Sequence, residues 1–67
     1  MSRDAISNFE LKALTKAAEH PNGWAETHLS VVLKLAERGF FEQVEDVDFG
    51  LKWRITEAGR KALANAR

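Results

Sequence analysis

The sequence predicts an α+β domain in the order helix, short turn or one-turn helix, helix, strand, strand, helix. Three observations predict it. Apolar residues recur at helical spacing from Phe9 to Ala36. The period then changes to two between Phe40 and Ile55. A glycine, Gly39, marks the exit from the last helix before that change, and a threonine, Thr56, stands where a final helix would begin.

The first helix starts after Ser7. Ser7 and Glu10 have capping-box spacing, in which the hydroxyl accepts the amide three residues on and the Glu reaches back to the cap amide. Ile6 and Leu11 have the spacing of a hydrophobic staple across that cap. Leu11, Leu14 and Ala18 should line one face, widened by Phe9, Ala13 and Ala17. Pro21 biases His20 away from helical geometry, so the helix should end near Glu19, followed by a tight turn at Pro21-Asn22-Gly23.

A second long helix is expected from about Ala25 to Arg38, with Leu29, Val32, Leu33 and Ala36 as its buried stripe and Val31 and Leu35 beside it. Gly39 should take the left-handed conformation that only glycine adopts cheaply. Phe40 to Glu45 reads as a strand. Leu51, Trp53 and Ile55 alternate with Lys52 and Arg54 in a second strand, and Asp46-Val47-Asp48-Phe49-Gly50 supplies the turn of an antiparallel hairpin. Thr56 can cap the final helix, which should run from Glu57 to about Ala66 with Ala58, Ala62 and Leu63 inward.

At 67 residues there is room for one core. Residues 1–6 are expected to be a flexible terminus and 7–66 a single domain. With no cysteine there is no disulfide framework and no thiolate metal site. No apolar run approaches the length of a membrane span, and Met1-Ser2-Arg3-Asp4 leads into no signal-peptide core, so a cytoplasmic location is expected. Ten basic and ten acidic residues cancel, at an isoelectric point near 6.7. Nucleic-acid binders draw most of their non-specific affinity from phosphate neutralisation, so any DNA contact must come from a local basic patch.

Two features, Arg38-Gly39-Phe40 at the helix exit and Trp53-Arg54-Ile55-Thr56 with Gly59-Arg60 after the hairpin, in that order and with a hairpin between, resemble the winged helix (winged helix-turn-helix) domains of small bacterial and phage regulators. The resemblance covers roughly residues 7–66. It implies a DNA-binding transcriptional regulator in which the helix ending at Arg38 corresponds to the recognition helix and the hairpin to the wing. On that reading Thr27, His28, Ser30, Lys34 and Arg38, with Lys52 and Arg54 of the hairpin, would meet double-stranded DNA. The chain departs from the family twice. Little sequence is left for a separate helix before the recognition helix; either a single turn near residues 24–28 stands in for it, with Ser30 capping the helix proper, or it is missing. The wing is acidic at Glu42, Glu45, Asp46 and Asp48, and carboxylates repel phosphates.

The alternative is a protein-interaction module without direct DNA contact, using Glu45, Asp46, Val47, Asp48 and Phe49. Phe49 would anchor an interface or fold back onto the domain. The broad apolar surface of the second helix and the small size suggest a homodimer. Trp24 is expected to fill the gap left by the shortened helix, and Trp53 to be core. His20 and His28 are isolated, so no metal site is expected. Asp48-Phe49-Gly50 matches the kinase magnesium tripeptide by letter only. Nothing pairs a nucleophile with a base, so neither enzymatic activity nor a cofactor is expected.

Overall fold

The computed structural model describes residues 6–66. They form an α+β domain with three helices and one antiparallel hairpin: α1 (Asn8–Glu19), α2 (Leu29–Glu37), β1 (Phe41–Asp46), β2 (Gly50–Ile55) and α3 (Glu57–Ala66). The core is Ala13, Leu14 and Ala17 of α1, Val32 and Leu35 of α2, Phe41 and Ile55 at the base of the hairpin, and Leu63 of α3.

Local chemistry sets the element ends. Ser7 caps α1 through a complete capping box: its Oγ accepts the Glu10 amide at 3.2 Å and its own amide donates to Glu10 Oε1 at 3.0 Å. Ile6 and Leu11, the two residues at staple spacing across this cap, are both partly buried and pack against the core. The expectation for residues 1–5 lies outside the described residues.

Helix α2 ends in a Schellman turn. Gly39 has φ +82°, the Phe40 N–H donates to the Leu35 carbonyl at 2.9 Å, and the Gly39 N–H donates to the Ala36 carbonyl at 2.9 Å. Thr56 then joins this exit to the start of α3. Its Oγ1 accepts the Gly59 amide at 3.0 Å and donates to the Gly39 carbonyl at 2.6 Å, while its amide donates to the Phe40 carbonyl at 2.9 Å. One residue caps a helix and satisfies a carbonyl of the preceding turn. The approach is so close that a Cβ on Gly59 would lie 2.5 Å from the Phe40 carbonyl oxygen.

Several expectations need correction. Helix α2 begins at Leu29, not Ala25. Its N-cap is His28, and no side chain, Ser30 included, makes the capping bond. No helical turn stands in residues 24–28. That segment begins in extended backbone and bridges β2: Trp24 pairs with Arg54, the Ala25 N–H donates to the Trp53 carbonyl at 2.8 Å, and the Ile55 N–H donates to the Gly23 carbonyl at 2.9 Å. β2 is therefore flanked on both sides, and this pairing fills the place where a further helix could have stood.

The buried stripe of α2 is also rotated from the expected one. Leu35 and Val32 are buried, with Val31 and Ala36 half-buried, whereas Leu29 and Leu33 face outward. The helix is apolar nearly all round, so two stripes fit the same period. The contacts with α1 and β1 select the one centred on Leu35. Phe9 is likewise exposed rather than part of the α1 face, Leu51 is exposed despite its alternating position, and Ala58 points out where Gly59 packs in. Trp53 is half-buried and packs against the core.

Candidate binding surface of α2 and the hairpin

The residues expected to contact DNA are spread over two surfaces. Thr27, His28, Ser30 and Lys34 are all exposed around the first half of α2. Arg38, at the other end of that helix, is turned back: its guanidinium lies 3.7 Å from Glu10 of α1 and 4.9 Å from the centroid of the Phe40 ring. Glu10 thus serves both the α1 capping box and a link between two helices. Next to it, Ser7, Phe9, Glu10, Val31 and Lys34 line an open groove of about 380 Å³ between the start of α1 and the side of α2.

Lys52 and Arg54 lie on the hairpin. Their register fixes them on one face, because β1 pairs with β2 antiparallel with Glu42 opposite Arg54 and Val44 opposite Lys52. Arg54 donates to Glu42 at 2.8 Å, with both side chains about half exposed. Lys52 sits 5.3 Å from the centroid of Trp24 and 5.9 Å from that of Phe49. Trp24 is stacked on His20 at 5.4 Å and meets the Phe49 ring edge-on at 5.7 Å. His20, Trp24, Phe49 and Lys52 therefore form one surface cluster that braces the hairpin tip against the turn after α1. His20 also accepts the Asn22 amide on Nδ1 at 3.0 Å, which gives this isolated histidine a turn-forming job. The cluster escaped the sequence reading. Its signal was the alternation that puts Lys52 on the face opposite Trp53, but the pairing of Trp24 with β2 was needed to bring the rings there.

At the tip, Asp46 Oδ2 accepts the amides of Asp48 at 2.9 Å and Phe49 at 3.0 Å, and Gly50 takes φ +77°. An aspartate that caps its own turn and a left-handed glycine are what a tight hairpin needs. The cost is an exposed apolar point. Val47 is 100% exposed, Phe49 66% and Leu51 63%. Phe49 is folded back only in part: its ring meets that of Trp24 edge-on while most of it stays in solvent.

Among the described residues no group of three or more His, Asp or Glu side chains is placed to hold a metal ion, and no helix is long and apolar enough to cross a membrane. No family model, curated protein or solved structure matches the chain.

Proposed function

We propose that this chain is a winged-helix domain that works by binding rather than catalysis, and that it engages double-stranded DNA as a small cytoplasmic transcriptional regulator of bacterial or phage type. The observation that carries the reading is the exposure of Thr27 and His28 just before α2 and of Ser30 and Lys34 on it, beside the exposed Leu29 and Leu33, on a helix that runs directly into a hairpin. Polar side chains of this length reach base edges, and Lys34 supplies charge for a phosphate. No side chain caps α2, so the positive end of its dipole is open to a phosphate oxygen. Arg54 adds a second cation. Its ion pair with Glu42 is exposed, and such pairs are worth only about 0–1 kcal/mol, so a phosphate competes for it on near-equal terms.

The acidic hairpin limits this mode to few phosphates, and affinity should be modest. Fluorescence anisotropy with a labelled duplex at low salt should detect association that weakens steeply as salt rises. Lys34→Glu should weaken it by about tenfold or more, since it replaces one phosphate contact with a repulsion. Absence of association at low salt rejects the reading. A second reading, a protein-interaction module without DNA contact, is favoured by the solvent-exposed Val47 and Phe49 in their acidic setting. Duplex titration separates the two.

A further inference from the structure

The hairpin is acidic in sequence, but its charges are divided between two faces. Cross-strand partners share a face, so Lys52 and Arg54 stand with Glu42, Val44 and Asp46, while Glu45 falls on the other face with Leu51. Asp46 is already engaged, accepting two amides of its own turn through Oδ2. The cations of this face have a companion from outside the hairpin. Gly23, in the turn after α1, is buried, and a Cβ on it would lie 3.3 Å from Arg54 Cγ and 3.4 Å from Nη2 of Arg60. Arg60 of α3 therefore reaches across to the turn beside which Trp24 pairs with Arg54 and carries Lys52 over its ring. Arg60 is exposed, and its guanidinium makes no hydrogen bond or ion pair with any described residue, Glu57 one turn earlier included. Lys52 is likewise in no ion pair among the described residues, and Arg54 has only its exposed contact with Glu42.

We propose that Arg60 is a phosphate contact, and that with Lys52 and Arg54 it forms a cationic strip around the Gly23–Trp24 turn along which the backbone of a DNA duplex runs. This rests on the DNA-binding reading and extends it from α2 and the hairpin onto α3. A guanidinium presents a planar fork of donors that matches two phosphate oxygens. With no internal partner among the described residues, Arg60 has no structural bond to give up when a phosphate arrives. Three cations from two elements, with one carboxylate in ion-pair contact, suit a row of phosphates. The strip also bears on the acidic hairpin. Alternation keeps Glu45 on the face away from Lys52 and Arg54, so the phosphates meet the less acidic side.

The test is an anisotropy titration of the full chain with one labelled duplex across a salt series. Arg60→Gln should weaken binding about fivefold and make the log–log salt slope shallower by about one. Lys61→Gln removes the same charge from the next residue, roughly 100° round the helix, and should change affinity by less than about twofold. Arg60→Lys keeps the charge and loses the fork, so it should fall between wild type and Arg60→Gln. A wild-type readout needs no substitution: on adding the duplex, the indole N–H resonance of Trp24, which lies in the strip, should shift more than that of Trp53, which packs against the core. Three results overturn the assignment of Arg60 and leave the duplex reading standing: Arg60→Gln binding like wild type with the same slope, an equal loss from Lys61→Gln, or a larger shift at Trp53 than at Trp24. Absence of wild-type association at low salt overturns both.

Discussion

The two ends of the hairpin are built from the same two strands, yet they obey different rules. At the base, Phe41 and Ile55 face each other across the register and are each 3% exposed, packed with Leu14, Leu35 and Leu63. At the tip, Val47, Phe49 and Leu51 are as apolar as the base residues but mostly in solvent. Alternation along a strand settles which face a side chain takes. It does not settle how far along that face the core extends. Here the core stops near Trp53, and beyond it the tip meets only the surface cluster of Trp24 and Lys52 at Phe49. The base is thus a packing device and the tip a surface available for contact.

The comparison is broken most severely by removing its anchored end. Leu35→Ala deletes a fully buried side chain between α2 and the strand base and should cost about 2–5 kcal/mol. That is a large part of the stability of so small a domain, and thermal unfolding followed by circular dichroism should show it. A variant that melts like wild type would mean that Leu35 is not the centre of the α2 face.

Gly59→Ala tests the junction at which α3 meets the hairpin base. A methyl group there would meet the Phe40 carbonyl oxygen at 2.5 Å and Ile55 Cγ1 at 2.8 Å. Overpacking of this kind costs about 1–3 kcal/mol. It should outweigh the roughly 1 kcal/mol that alanine gains over glycine inside a helix. A stabilised variant would show that α3 can shift away from Phe40 freely. Val47→Ser sharpens the contrast at the other end. Nothing packs on this side chain in the monomer, so the melting midpoint at low protein concentration should stay within about 2 °C of wild type. A clear loss would mean that the tip contributes to the fold after all.

The sequence by itself determined the order of elements and most of their ends. Ser7 with Glu10, Gly39, Gly50 and Thr56 act within a few residues of themselves, through capping bonds and backbone conformations that need no distant partner. Tertiary structure alone decided three things. It chose between the two apolar stripes of α2, since periodicity cannot rank stripes on a helix that is apolar nearly all round. It placed Trp24 beside Arg54, turning residues 23–25 into a partner for β2 where a helical turn was equally legible. It also directed Arg38 toward Glu10 and Lys52 onto Trp24 and Phe49, so that cations which look alike in sequence differ in what they touch. Caps and turns are short-range chemistry. Burial and ion pairing depend on which surfaces meet, and those surfaces come from residues far apart in the chain.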